Sequence, residues 1–353
     1  MKEKKLSSAR FYILTSLFLL AAAVILSVAA RKIEGFAEWY STVIYPHLVD
    51  SIGWFSGLFP FSLAEVLCVL LGAFIVRDLI ISWHRLRRFL LHLLIIVSAL
   101  YFIYVANCGI NYYRDPFVDP STYENAQFEQ ELLEEYCGYI IDRLEELGEE
   151  APEYPSRAAE LADRAVAAMN KIGEEYGGLK GYYPRPKFLR LTAHLFSTMG
   201  VSGIYSPFTI EANVNCEMPA MEKPFTACHE LSHLRGYMIE GEANYIGWLA
   251  CINSDDPAFE RSGWLIAWNY AAGSLRRADP EKFESVAARL PEDASRELAE
   301  NYQFWKENET EASEIQDKMN DAYLKSNGVK EGVSSYGRIT TLMLLWYSHE
   351  SCD

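Results

Sequence analysis

Residues 226–244, TACHELSHLRGYMIEGEAN, decide how the C-terminal part of this chain folds. His229 and His233 lie four positions apart, so a helix through them places both imidazoles on one face, close enough to share a metal ion. Zinc accepts two such imidazoles at about 2.0–2.1 Å. Glu230 lies one position round from His229, where it is poorly placed as a ligand but well placed to deprotonate a water bound to the metal. The segment therefore predicts a helix that carries a zinc site.

The residues after the second histidine predict a tight reversal followed by a second helix. Gly236 suits a left-handed helix C-cap, and a helical pattern resumes at residues 240–244. Glu240 and Asn244 would share one face of this second helix, so one can coordinate the metal while the other hydrogen-bonds a ligand imidazole. Glu242 is a second carboxylate nearby. The spacing leaves Glu240 and Glu242 as alternatives for the third ligand.

The histidine pair followed by the pattern E-x-x-A-N resembles the gluzincin metallopeptidases. The resemblance implies that His229 and His233 are zinc ligands and that Glu240 is the third. It also implies that Glu230 is the catalytic glutamate. Asn244 stands where many gluzincins have an aspartate that hydrogen-bonds a ligand histidine, and its amide lacks the charge that raises ligand basicity, so lower metal affinity or activity is expected. The gap between His233 and Glu240 is also shorter than in thermolysin-like enzymes.

Three apolar segments in residues 1–109 predict a membrane anchor. The first, residues 11–30, is about 20 residues long without a charge and matches the width of a bilayer. The other two, residues 62–83 and 89–105, flank a short basic turn and predict a membrane hairpin. Arg77 and Asp78 fall near the end of the middle segment, where charged side chains can pair or reach the headgroups.

The distribution of charge predicts how this anchor is oriented. Basic residues collect at the N-terminus and in the turn HRLRR at residues 84–88. The positive-inside bias places both in the cytoplasm, so three crossings would put residues 110–353 outside, as the extracytoplasmic domain of a multi-pass protein of the cell membrane. That domain carries 22 basic and 42 acidic side chains. Such an acidic domain repels nucleic acid, so the expected partners are the lipid bilayer and a peptide or protein substrate.

Residues 110–353 are expected to be mostly α with a small sheet. Apolar residues at helical spacing predict helices at about 127–149, 155–175, 257–277, 280–290, 294–323 and 336–347. Short strands are expected at residues 203–205 and 209–214.

Two further segments are candidates for contact with a substrate. Residues 210–215, which begin Ile210, Glu211, Ala212 and Asn213, could be an edge strand that pairs with an extended peptide, although an ordinary sheet strand fits them equally well. Tyr336 and Arg338 could donate hydrogen bonds to the oxyanion formed during hydrolysis, and Tyr205 is a further candidate. A structural role at a helix start is the alternative for Tyr336 and Arg338.

The seven cysteines are too few and too irregularly spaced for a disulfide framework, the odd number leaves at least one thiol unpaired, and no CxxC pair occurs. Most are expected to be small buried apolar residues. One disulfide among Cys216, Cys228 and Cys251 stays open as an alternative, since the domain is expected outside the cytoplasm.

The whole arrangement is also similar to an uncharacterised family of bacterial membrane proteins of unknown function. The similarity rests on the three N-terminal spans, the HExxH block and residues 111–114, 207–215 and 335–338. It covers nearly the full chain. It implies three transmembrane helices followed by an α+β, zincin-like (gluzincin) domain outside the membrane, and it lends no activity.

Two functions are compatible with these patterns. The first is peptide-bond hydrolysis by a membrane-anchored zinc metallopeptidase, in which Glu230 is the general base and later passes the proton to the leaving amine. The second is a non-catalytic membrane sensor or scaffold, in which zinc stabilises the outer domain. Coordination separates the two, because hydrolysis needs an open position on the metal and a fourth protein ligand, such as Cys228, would close it.

Overall fold

The computed structural model describes residues 2–123, 130–148, 152–329 and 338–350. Its contacts divide the chain into two units, the first comprising Met1–Asp115 with Ser206–Glu211 and the second Pro116–Tyr205 with Ala212–Asp353. Helices dominate the described residues, and their strands form one three-stranded sheet. The prediction of a mostly helical protein with a small sheet is confirmed.

The first unit is built from long apolar helices. Its helices are α1 (Lys2–Lys32), α2 (Phe36–Trp39), α3 (Tyr45–Leu48), α4 (Trp54–Gly57), α5 (Leu63–Ile81) and α6 (Leu86–Tyr104). Among the described residues, Ala9–Lys32 and Leu86–Tyr113 are long and apolar enough to cross a membrane. The first of these lies near the N-terminus, where a signal sequence has the same length and composition.

Helix α5 coincides with the middle predicted span but carries three charged residues, Glu65, Arg77 and Asp78. Asp78 is 5% exposed, and its carboxylate lies 2.9 Å from Nδ1 of His92 on α6. The pair gives a buried carboxylate a polar partner inside an otherwise apolar hairpin. Length and composition therefore qualify two helices as spans, not the three expected.

The carboxylate of Glu211 caps the N-terminus of α5. Its two oxygens accept hydrogen bonds from the N–H groups of Leu63 at 3.1 Å and Ala64 at 2.8 Å. The side chain of Ser62 accepts another from the N–H of Glu65. The first N–H groups of a helix have no partner within it, so these bonds explain why Glu211 is buried.

The second unit packs around three central helices. Its helices are α7 (Pro120–Tyr123), α8 (Gln130–Glu146), α9 (Ala158–Glu175), α10 (Ala193–Thr198), α11 (Lys223–Leu234), α12 (Glu240–Ile252), α13 (Pro257–Ala278), α14 (Pro280–Ala287), α15 (Glu292–Asn308), α16 (Glu311–Ser326) and α17 (Arg338–Glu350). Helices α11, α12 and α13 pack against one another and contribute the fully buried rings of Trp248 and Phe259. The predicted metal centre thus lies on the best-packed helices of the unit.

Three short strands form the sheet, in the order β1 (Lys187–Leu189), β3 (Glu211–Asn215), β2 (Gly203–Ser206). β1 runs parallel to β3, and the N–H of Asn215 donates to the carbonyl of Ser202 at the start of β2. All five residues of β3 are buried.

The position of β3 corrects the prediction that Ile210, Glu211, Ala212 and Asn213 form an edge strand for substrate. β3 is the central strand, so both of its backbone edges are taken by β1 and β2. Ile210 precedes the strand in a left-handed conformation (φ 50°), and Glu211 caps α5. In the part of the chain that the structure describes, β1 and β2 are the outer strands of the sheet.

Candidate metal centre

Helix α11 brings the two histidines together. Pro224 lies in its first turn, where the missing N–H is tolerated. The helix ends at Leu234, and Gly236 follows with a φ of 92°, as expected for the residue that reverses the chain. The rings of His229 and His233 lie on one face with their centroids 4.6 Å apart.

The reversal after α11 fixes the tautomer of His233. It carries the carbonyl of Tyr237 back over the helix, where it lies 2.8 Å from Nδ1 of His233. A carbonyl can only accept, so Nδ1 carries a proton, and in the neutral imidazole Nε2 keeps its lone pair. Nε2 is the nitrogen that faces Glu240, and a backbone partner on the other nitrogen is typical of metal-binding histidines.

Helix α12 supplies the third candidate ligand. Oε2 of Glu240 lies 3.4 Å from Nε2 of His229 and 3.6 Å from Nε2 of His233. Together the three side chains offer ligand atoms within 4.8 Å of one another. Tetrahedral zinc, with bonds of about 2.0–2.2 Å, separates its ligand atoms by about 3.3–3.6 Å. The two distances from the carboxylate to the imidazoles match those edges.

The geometry distinguishes the two carboxylates that the sequence left open. Glu242 is buried and its Oε1 accepts a hydrogen bond from the N–H of Phe117 at 3.0 Å. Glu240, two positions earlier, lies beside the two imidazoles. Because successive side chains leave a helix about 100° apart, residues two positions apart cannot serve the same face. Of the two carboxylates, Glu240 is the one that faces the imidazoles and joins the candidate ligand set.

A glycine lets α11 and α12 approach this closely. A Cβ at Gly247 would lie 3.0 Å from the backbone nitrogen of His229 and 3.2 Å from its Cα. Both contacts are to main-chain atoms, which cannot swing away. Gly247 therefore sets the separation of the two helices beside the first candidate ligand.

Electrostatic interactions favour an ionised Glu240. Burial acts to raise the pKa of Glu240, but His233 and His229 outweigh burial and hold this pKa well below its usual range. Burial lowers the pKa of His229, although its interactions with Glu240 and Asn244 act to raise it. Burial also acts to lower the pKa of His233, but the charge of Glu240 prevails and raises it to about 9. One carboxylate between two imidazoles is a donor set that zinc accepts.

Glu230 is buried beside strand β2. Its side chain turns towards Gly203, where a Cβ would lie only 2.7 Å from Oε1. Burial raises the pKa of Glu230 to about 8, while the charge of His233 and a hydrogen bond from the backbone of Tyr205 act to lower it. A carboxylate with a raised pKa close to candidate metal ligands is suited to proton transfer.

Asn244 lies near the ring of His229 and acts to raise its pKa, but neither Nδ1 of His229 nor Nδ2 of Asn244 has a hydrogen-bond partner among the described residues, so the predicted support of the imidazole stays a prediction. Asn244 is buried and lies one turn after Glu240 on α12. The amide carries no charge, so it supports the imidazole less strongly than a carboxylate would.

The structure does not gather every predicted residue at this centre. Tyr336 lies outside the described residues, and Arg338 is the first residue of α17, so their role at an oxyanion stays a prediction. The backbone of Tyr205 donates a hydrogen bond to Glu230.

Cys228 has a free thiol that contacts the thiol of Cys251 on α12. Cys216 is free as well, so no disulfide links the three cysteines considered.

Sequence reasoning missed three residues at the centre: Gly203, Tyr237 and Tyr270. Tyr270 lies on α13, where burial and the charges of Glu222 and Glu240 raise the pKa of its phenol. Tyr237 acts through a main-chain carbonyl and Gly203 through the space it leaves. Neither role depends on a recognisable side chain, so no motif could have indicated them.

Comparison with known proteins places the chain in a family. Neither the curated proteins nor the solved structures contain a match to it. The family described as "Protein of unknown function (DUF3810)" matches residues 40–344. The matched region begins after α1, contains all the candidate metal ligands and ends within α17. The chain therefore belongs to this DUF3810 family of proteins of unknown function.

Proposed function

We propose that this chain is a membrane-anchored zinc peptidase of the gluzincin type, whose metal is held by His229, His233 and Glu240. The observation that carries the proposal is the spacing of one carboxylate oxygen at 3.4 and 3.6 Å from two imidazole nitrogens. These distances exceed those of ordinary N–H···O hydrogen bonds and equal the edges of a tetrahedral zinc site.

The size of the ligand set favours catalysis over a purely structural metal. Catalytic zinc sites use three protein ligands and keep a position open, whereas structural sites are closed by a fourth. In the part of the chain that the structure describes, the cluster of candidate ligands has three members. Cys228, the fourth ligand that a scaffold or sensor would need, directs its thiol to Cys251 instead.

The roles of the side chains follow from their positions. Zinc bound between the three ligands would polarise a substrate carbonyl and lower the pKa of a coordinated water. Glu230 is the base that takes a proton from the attacking water and passes it to the leaving amine. The carbonyl of Tyr237 orients His233 through its hydrogen bond with Nδ1.

The substrate we propose is an extended peptide that pairs with the outer edge of β2 through backbone groups other than the N–H of Tyr205, which is turned to Glu230. β2 contacts the general base through Gly203, so a backbone along this edge would pass close to Glu230. Pairing through main-chain hydrogen bonds recognises extended peptides of many sequences. This role replaces the one that the sequence analysis gave to the buried strand β3.

The anchor that we propose crosses the membrane three times, with α5 as the middle span. The Asp78–His92 pair supports this assignment, because it provides a partner for the most deeply buried charge of α5. The basic turn at residues 84–88 and the basic N-terminus would face the cytoplasm, leaving the peptidase domain outside.

A peptide-library digest with the purified full chain in detergent tests the proposal. We expect cleavage by the wild type, a loss of about 100- to 10,000-fold in Glu230→Gln, and unchanged zinc content in that variant. Glu242→Gln is the matched control, because its amide oxygen can still accept from Phe117, and it should cleave normally. Equal rates in Glu230→Gln and the wild type would overturn the mechanism.

A further inference from the structure

We infer that strand β2 positions the general base: Gly203 leaves the space that the Glu230 carboxylate occupies, and the backbone N–H of Tyr205 holds the carboxylate there. The inference rests on the proposed function, which gives Glu230 its chemical role. It makes Gly203 and Tyr205 positioning residues, since they act through Glu230.

The space at Gly203 is enclosed on three sides. A Cβ there would lie 2.7 Å from Oε1 of Glu230, 2.7 Å from Cγ2 of Thr226 and 2.9 Å from the carbonyl oxygen of Asn213. Asn213 belongs to the buried central strand, and Thr226 is buried on α11. The main-chain oxygen of Asn213 cannot swing away, so a methyl at position 203 also strains the sheet, but the carboxylate is the end of a flexible side chain and is the group displaced most readily.

The register of the sheet leaves the N–H of Tyr205 available for this task. The carbonyl of Ser202 accepts from Asn215, and that of Ile204 accepts from the side chain of Asn213. Neighbouring residues of a strand direct their backbone groups to opposite edges. Ser202 and Ile204 therefore face β3, while the N–H of Tyr205 faces the free edge and donates to Glu230.

Glu230 has few other polar restraints. Its Oε2 is buried without a hydrogen-bond partner among the described residues. The backbone of β2 is consequently the main feature that fixes where the carboxylate lies. A base misplaced by about 1 Å can cost about 100-fold in rate, so this restraint matters for catalysis.

Two pairs of variants separate positioning from stability. Gly203→Ala is compared with Gly263→Ala, whose Cβ would lie 2.9 Å from Cβ of Cys251 and equally close to Ile252 on α12, away from Glu230. Tyr205→Pro removes the outward N–H, which an edge strand tolerates, and Tyr205→Ala removes the side chain alone. The full chain is assayed for kcat and KM, zinc content, melting temperature and binding of acetohydroxamate, which chelates zinc and donates a hydrogen bond to the neighbouring carboxylate.

We expect kcat to fall about 100-fold in Gly203→Ala, with KM within about twofold and one zinc per chain retained. Acetohydroxamate should bind about 10-fold more weakly. Gly263→Ala should lower the melting temperature while keeping kcat and acetohydroxamate affinity. Tyr205→Pro should have a lower kcat and a lower affinity for acetohydroxamate than Tyr205→Ala.

Two results would overturn the inference. One is a Gly203→Ala protein with wild-type kcat and acetohydroxamate affinity, or with losses matched by Gly263→Ala. The other is equal behaviour of Tyr205→Pro and Tyr205→Ala. A wild-type protein that cleaves no peptide would refute the proposed function instead, and acetohydroxamate affinity across the four variants would still decide the positioning role.

Discussion

The imidazole of His233 shows how a single residue at the centre combines predictable and unpredictable features. Its pairing with His229 follows from spacing alone, because positions four apart share a helix face. Its tautomer depends on the carbonyl of Tyr237, which only the folded reversal at Gly236 brings within 2.8 Å. Sequence spacing therefore identifies the candidate ligands, but it does not reveal the hydrogen bond to the carbonyl of Tyr237 that sets the tautomer of His233.

Zinc binding should release a proton from His233. Its pKa of about 9 means that the metal-free imidazole is protonated near pH 7, whereas zinc requires the neutral form. About one proton should leave per zinc bound, and apparent affinity should rise up to about 10-fold per pH unit below pH 9. Calorimetry in buffers of different ionisation enthalpy measures this release. A binding heat independent of the buffer would contradict it, and His194→Ala, an exposed histidine, is the control.

Replacing Asn244 by aspartate should strengthen zinc binding. The added charge beside His229 would raise the basicity of that ligand, and we expect affinity to improve about 10-fold in Asn244→Asp and to fall about 10-fold in Asn244→Ala. Competition with a chromogenic chelator measures both. If neither variant changes the affinity, Asn244 does not support the metal centre.

Among the elements, helices were easier to predict than strand order. The helix expected at about residues 294–323 is divided into α15 and α16, because Thr310 forms a capping box with Ser313 that starts a new helix. The strand at residues 209–214 was recognised, but its central position was not, since the pairing of β3 with β1 joins residues far apart in the chain. Local patterns carry no information about such partners.

The closeness of α11 and α12 predicts the effect of a single methyl group. Gly247→Ala places a Cβ 3.0 Å from the backbone of His229, and we expect a loss of about 1–3 kcal/mol in the free energy of unfolding together with weaker zinc binding. Gly273→Ala on α13 meets nothing nearer than 3.7 Å and should stabilise by about 0.5–1 kcal/mol. Denaturant unfolding of both variants measures the contrast. Equal stabilities would show that the helix contact is not tight.

At the level of the whole molecule, the sequence predicts an anchor followed by a largely helical domain. Two helices of the described residues have the length and composition to cross a membrane. The proposal of α5 as a third span rests instead on the contact of Asp78 with His92, which hydropathy cannot detect. The membership of residues 40–344 in one family includes part of this anchor region together with the metal centre. The matched region therefore contains α5 and α6 together with the three candidate ligands, whereas α1 lies before it.

Cysteine labelling in intact cells tests the proposed orientation. The thiol of an Arg87→Cys variant, in the basic turn, should be protected from a membrane-impermeant maleimide. The thiol of a Tyr302→Cys variant should react, because Tyr302 is 65% exposed. The unsubstituted chain gives the background from its own thiols. Labelling of Arg87→Cys together with protection of Tyr302→Cys would show that the orientation is the opposite of the one proposed.

The central claim, a zinc ion held by His229, His233 and Glu240, is tested most directly by metal analysis and X-ray absorption on the purified full chain and its Glu240→Ala variant. We predict one zinc per wild-type chain, bound by two imidazoles and one carboxylate with a position left for water, and markedly weaker binding in the variant. A chain without stoichiometric metal, or zinc bound equally well without Glu240, would contradict the account.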